Sequence, residues 1–186
     1  MTGHSSAAAI SERPYETGAE VERVVAGFRD GTLPHAEWTH RAHLTVALWY
    51  ATHHEAAEAL DLVRAGILRL NAAHGVPTTP TRGYHETITR FYMHVVGHFM
   101  EQHGREGDWA ERVNRLFARY GHRELPLRHY SEAKLKSAEA RAEWVEPDLS
   151  RCREGGRSRP WHSPVRHPER SEGGMPGSMP PSLRSG

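Results

Sequence analysis

Hydrophobic residues recur at helical spacing along most of the chain, and no stretch shows the strict alternation of a β-strand. This periodicity predicts five helices and a short sixth one, over about residues 16–29, 39–52, 55–73, 84–102, 108–120 and 131–142. Breaks that contain Gly or Pro separate the helices, as at Asp30-Gly31 and between Gly75 and Pro80. The pattern therefore predicts an all-α, up-and-down bundle of about five helices with a short C-terminal helix.

Three regions of different composition follow one another along the 186 residues. Residues 1–15 are small and polar and are predicted to form a flexible arm, and residues 16–149 carry the helical periodicity. Residues 150–186 are rich in Pro, Gly, Ser and Arg and nearly lack aliphatic side chains. Such a segment buries too little apolar surface to offset its chain entropy, so we expect a disordered tail. The alternative is a basic arm that binds an anionic surface.

Charge and cysteine content exclude several classes of protein. The formal net charge is only +1, and residues 151–186 carry seven Arg against three Glu, so the predicted domain is mildly acidic. We therefore expect no nucleic-acid partner. The single cysteine, Cys152, cannot form an internal disulfide, which fits a reducing compartment. No signal peptide and no membrane-length apolar run is evident, so the expectation is a cytoplasmic protein without a membrane partner.

Three histidines at predicted helix starts are the main candidates for chemistry. His40 and His43 lie in the block WTHRAHL, and His85 lies in the block YHETIT. At about 100° per residue, each lies on or beside the apolar face of its helix. Short loops make consecutive helices antiparallel, which places the starts of the second and fourth helices at one end of the bundle. The three imidazoles are therefore predicted to converge at that end. His35 and His122 are predicted to lie close enough to reach the same site.

Neutral imidazoles at one site would serve a metal ion or an acid–base reaction. The leading hypothesis is a metal-dependent enzyme acting on a small molecule, in which His40, His43 and His85 bind zinc or iron. Zinc would suit hydrolysis and iron(II) would suit oxygen chemistry. His85 and Glu86 are the candidate catalytic residues, with Glu86 acting as fourth ligand, orienting partner or general base. Glu86 is equally compatible with an ordinary first-turn glutamate.

Two other hypotheses remain open at this stage. In one, the protein is a non-enzymatic helical module that binds a small ligand or a protein partner, and its histidines have structural roles. In the other, Arg41 and Arg82 hold an anionic substrate at the helix N-termini while His85 acts as a metal-free acid–base group. The sequence does not predict an oligomeric state.

Other polar groups along the chain are better explained by structure. His94 and His98 are predicted to face solvent, on the side of the fourth helix opposite to His85. Arg141 could clamp a carboxylate or phosphate, although a surface ion pair is the favoured explanation. Further predictions are an exposed contact between His54 and Glu58, an N-cap at Ser131, and closure of the core by Trp144 and Val145.

The two histidine blocks, together with Tyr130-Ser131, Arg141 and Pro147-Asp148, resemble a group of small, uncharacterised bacterial helical proteins. The resemblance spans about residues 20–149 and excludes the tail. It implies the same domain limits as the composition does. No established activity is attached to that group, so the resemblance implies no mechanism.

Overall fold

The computed structural model describes residues 13–149. These residues form seven α-helices: α1 Gly18–Asp30, α2 His40–His53, α3 Ala56–Ala73, α4 Glu86–His103, α5 Trp109–Tyr120, α6 Glu132–Leu135 and α7 Ala138–Ala142. Short 3-10 turns occupy His35–Glu37 and Leu125–Arg128. No β-strand occurs within this part of the chain, which confirms the all-α prediction. The predicted tail, 150–186, and most of the predicted arm lie outside the described residues.

Local capping explains where the long helices begin and end. The hydroxyl of Thr39 accepts a hydrogen bond from the Ala42 N–H and so caps the start of α2. Asp108 caps α5 by accepting from the Glu111 N–H at 3.0 Å. Gly31 ends α1 with a φ of 75°, a left-handed conformation that glycine adopts without steric cost.

The prediction of a single helix over residues 131–142 was wrong, because two short helices occupy this segment. Ser131 caps α6 as predicted, but the helix stops after Leu135 and α7 begins at Ala138. The hydroxyl of Ser137 accepts from the Ala140 N–H at 3.1 Å and donates to the Lys134 carbonyl at 2.7 Å. A serine that makes these local bonds caps a new helix instead of continuing the old one.

Helix α2 lies at the centre of the bundle and packs against α1, α3, α4 and α5. Its buried residues therefore surround the helix, and they are Arg41, Ala42, Leu44, Thr45, Val46, Ala47, Leu48 and Tyr50. A helical wheel with one apolar face, centred on Leu44 and Leu48, predicts that Ala42 faces away from the core. That prediction was wrong, since Ala42 is 1% exposed. A helix that is apolar on all sides is typical of a buried position.

Two groups of buried side chains fill the space around α2. One contains Phe28, Val46 and Leu70 and joins α1 and α3 to α2. The other contains Leu48, Phe99 and Leu116 and joins α4 and α5 to it. Within residues 13–149, no helix combines the length and the apolar character needed to cross a membrane.

Helices α1 and α3 approach each other closely at Gly66. A Cβ atom on Gly66 would lie 2.2 Å from Cζ of Phe28, a side chain with no exposed surface. Real Cβ atoms do not approach a ring so closely, so the glycine is required by the Phe28 ring.

We expect Gly66→Ala to lower the free energy of unfolding by roughly 1–3 kcal/mol, because overpacking outweighs the helix propensity gained from alanine. Gly97 on α4 is a matched control, since a Cβ there meets nothing within 4 Å. Gly97→Ala should raise stability by up to about 1 kcal/mol. Urea denaturation of both variants provides the measurement, and equal stabilities would contradict close packing at Gly66.

Candidate functional site

A pocket of about 280 Å³ opens between the N-terminal parts of α2 and α4 and the middle of α3. Its apolar lining consists of Val46, Ala47, Val63, Ile67, Ile88 and Met93. Residues near the starts of α2 and α4 thus share one cavity. This confirms the prediction that the N-termini of these two helices lie at the same end of the bundle.

Polar side chains from both helices complete the pocket. They are Thr39, His40, His43, Thr89, Tyr92 and Arg123. Arg123, which follows α5, is exposed, whereas every other lining residue is at least half-buried. The pocket therefore reaches the surface beside Arg123.

His43 presents a hydrogen-bond acceptor to this pocket. Its Nδ1 donates to the Thr39 carbonyl at 2.7 Å, so a neutral ring carries its proton on Nδ1 and leaves Nε2 as an acceptor. The ring lies against Trp38, with 3.8 Å between ring centroids. Burial, helped by the nearby charge of Arg123 and opposed by the hydrogen bond to Thr39, lowers the pKa of His43 to about 4. His43 is consequently neutral at pH 7, as the helix N-terminus also favours.

His40 and Tyr92 meet on the side of the pocket that faces α5. The His40 ring lies 5.0 Å from the Tyr92 ring and 6.0 Å from the Phe117 ring, between centroids. The Tyr92 hydroxyl donates to the His122 carbonyl at 3.3 Å. Burial raises the pKa of Tyr92 to about 12, so the phenol stays neutral at physiological pH.

His85 does not line the pocket, and its ring is held by backbone groups instead. It is the N-cap residue of α4: Nδ1 accepts from the Ile88 N–H at 3.3 Å, and Nε2 donates to the Leu135 carbonyl at 2.9 Å. Burial lowers the pKa of His85, which favours this neutral form. The structure thus brings two of the three predicted histidines together and turns the third toward α6.

Glu86 is held in an ion pair between α4 and α3. Arg64 donates to its two carboxylate oxygens at 2.9 and 2.6 Å, and the Tyr84 hydroxyl donates at 2.7 Å. Burial raises the pKa of Glu86, but these hydrogen bonds outweigh it and hold the pKa below its usual value. The carboxylate of Glu86 does not line the pocket. Its position supports the interpretation of Glu86 as an ordinary first-turn glutamate.

The chain around the start of α4 is fastened to the C-terminal segment of the domain. The Thr87 hydroxyl donates to the Glu143 carbonyl at 2.7 Å and accepts from the Val145 N–H at 3.1 Å. Arg141 donates to the carbonyls of Gly83 and Tyr84, both at 3.2 Å. These contacts give Arg141 a structural role that neither sequence hypothesis for it anticipated.

The structure does not bring Arg41 and Arg82 together as an anion site. Arg41 is 4% exposed, donates to Oδ1 of Asn114 at 3.0 Å, and lies 3.9 Å above the Phe117 ring. Arg82 is exposed in the loop before α4.

The remaining histidines divide between predicted and unpredicted positions. His94 and His98 are exposed, as predicted, and His54 contacts Glu58 at 3.2 Å. The His35 ring lies 5.1 Å from the His74 ring instead of lining the pocket.

Metal ligation by His40, His43 and His85 stays a prediction. Within residues 13–149, no group of three or more His, Cys, Asp or Glu side chains is arranged to hold a metal ion. The residues that sequence reasoning missed are Trp38, Thr89 and Arg123. Trp38 is the first residue of the block WTHRAHL, Thr89 is the last residue of the block YHETIT, and Arg123 follows His122, so closeness in sequence to the candidate histidines was the available signal.

The low pKa of His43 predicts a specific pH dependence. The unfolded state binds a proton on this ring below about pH 6.5, whereas the folded state resists protonation until about pH 4. The contribution of the neutral, buried His43 ring to the stability of the folded state is therefore fully present above pH 6.5. It is lost progressively as the pH falls toward 4. We expect an NMR titration of the His43 ring to give a midpoint near 4, and a midpoint near 6.5 would contradict its burial.

Comparison with protein-family models, curated proteins and solved structures found no match to this chain. The likeness of its sequence blocks to small bacterial helical proteins therefore remains a resemblance, and the site is interpreted from its own geometry.

Proposed function

We propose that this domain binds a small, largely apolar organic molecule that carries a hydrogen-bond donor. The observation that carries the proposal is Nε2 of His43, an acceptor on a neutral ring in a pocket with mostly apolar walls. Within residues 13–149, no protein group is hydrogen-bonded to that nitrogen. A ligand that covers it without donating would leave a buried acceptor unsatisfied, at a cost of about 1–3 kcal/mol.

The composition of the pocket supports a binding site for a small molecule. Ligand sites are typically concave and mostly apolar, with a few polar groups that fix orientation. Here the aliphatic side chains come from three helices, and His43, Thr89 and Tyr92 provide the polar groups. Arg123 at the surface would favour a ligand whose outer end is polar or anionic.

Phenol and anisole form a matched pair of probes for this proposal, because methylation of the oxygen removes the donor with little change in the ring. We expect the full chain to bind phenol about tenfold more tightly than anisole, the discrimination that a satisfied buried acceptor provides. His43→Phe keeps an aromatic ring beside Trp38 but removes Nε2, so this variant should bind the two probes equally. Calorimetric titration measures both affinities.

His98→Phe is the matched control, because it makes the same substitution at an exposed position on α4. Its preference for phenol should equal that of the unmodified chain. Equal binding of phenol and anisole to the unmodified chain would contradict the donor requirement. Failure of both probes to bind would contradict the proposed site itself.

A metal-dependent enzyme is the second candidate function, because His40 and His43 line the same pocket. His85 adds no ligand in this arrangement, since both of its ring nitrogens have backbone partners. Catalytic zinc sites commonly use three protein ligands. Two histidines fall short of that number, and for this reason the metal-free binding function is the stronger proposal.

Metal content after reconstitution with zinc or with iron(II) distinguishes the two functions. We expect no stoichiometric metal in the dialysed full chain, measured by plasma mass spectrometry. One equivalent that is lost in His43→Phe and kept in His85→Ala would replace our proposal with a metal centre in the pocket. Loss in His85→Ala as well would restore the three-histidine site. Because His85→Ala removes an N-cap, its fold is first checked by circular dichroism.

A further inference from the structure

Arg112 is a buried cation at the end of α2 opposite to the pocket. It lies in the first turn of α5 and is 6% exposed. Its partner on α2, Thr52, lies nine residues after His43, or roughly 14 Å along the helix axis. This region is therefore separate from the proposed ligand pocket.

The contacts of Arg112 leave its charge poorly compensated. One terminal nitrogen donates to the Thr52 hydroxyl at 3.1 Å, and the guanidinium lies 4.6 Å from the centre of the Trp109 ring. Its Nε–H is buried and has no hydrogen-bond acceptor among the described residues. Burial lowers the pKa of Arg112, and the nearby charge of Arg105 lowers it further.

Arg105 approaches Thr52, the partner of Arg112, from the loop between α4 and α5. Its guanidinium donates to the Thr52 carbonyl at 3.4 Å, whereas Arg112 donates to the hydroxyl of that residue. Two guanidinium groups thus converge on one residue. Arg105 is exposed, so its side chain has room to adjust to a ligand.

In the part of the chain that the structure describes, no carboxylate neutralises this pair. Glu106 and Asp108 lie in the same loop, but no salt bridge within residues 13–149 includes Arg105 or Arg112. Asp108 is already used as the N-cap of α5. The C-terminus of α2 contributes about half a negative charge, which is too little to balance two cations.

We infer that Arg105 and Arg112, which converge on Thr52, form a binding site for a phosphate group. Buried charges are normally paired, and the missing partner here is an anion. Arginine forms strong, directional hydrogen bonds with phosphate oxygens, and two converging guanidinium groups match the double charge of phosphate. The phosphate would come from free inorganic phosphate or from a small phosphate monoester.

Calorimetric titration of the full chain with sodium phosphate in a chloride buffer tests the site. We expect saturable binding that Arg105→Gln weakens about tenfold or more, since it loses a charge-assisted hydrogen bond. Arg112→Gln should have at least the same effect. Arg105 is exposed, so Arg105→Gln carries the test even where the variant at the buried position does not fold.

Arg115→Gln is the matched control, because Arg115 is an exposed arginine on the same helix. This variant should bind phosphate as the unmodified chain does. Absence of saturable binding, or equal weakening by Arg105→Gln and Arg115→Gln, would overturn the inference. Phenyl phosphate as a second titrant identifies the source: equal affinities indicate the free ion, and tighter binding of phenyl phosphate indicates an ester.

Discussion

Burial of α2 on all sides is the constraint on which the rest of this domain depends. Because nearly every face of this helix is apolar, α1, α3, α4 and α5 must surround it to remove that surface from water. A central helix leaves only its two ends free to take part in sites. The pocket with His43 lies at the N-terminal end, and the arginine pair around Thr52 lies at the C-terminal end.

Periodicity and topology were sufficient to predict the five long helices and the end of the bundle where the pocket lies. The orientation of His85 was not predictable, because its partner Leu135 lies fifty residues further along the chain. Helical-wheel geometry places a residue on a face but does not reveal that it caps the helix and turns its ring toward another segment. Ala42 was misplaced for a related reason: a wheel assumes one buried face, and α2 has several.

The distinctive block around His85 is explained by folding more directly than by catalysis. His85, Glu86 and Thr87 bind α6, α3 and the segment after α7, respectively. Three consecutive side chains thus fasten three separate parts of the chain to the start of α4. Each bond satisfies a polar group that would be costly to bury alone. The pattern that suggested an active site thus also makes structural contacts, and these position α4 so that Ile88, Thr89 and Tyr92 can line the pocket.

The dipole of α2 gives the two ends of the domain opposite chemical preferences. Its positive end lies beside His43 and disfavours protonation, which agrees with a ring that offers a bare nitrogen to a neutral donor. Its negative end lies beside Arg105 and Arg112 and tolerates cations there. Arg64 shows how this fold treats a cation when a carboxylate is available, through a bidentate pair with Glu86. Within residues 13–149 Arg112 lacks such a pair, and half a charge cannot balance two guanidinium groups, so the phosphate that we infer at this site would supply the missing compensation.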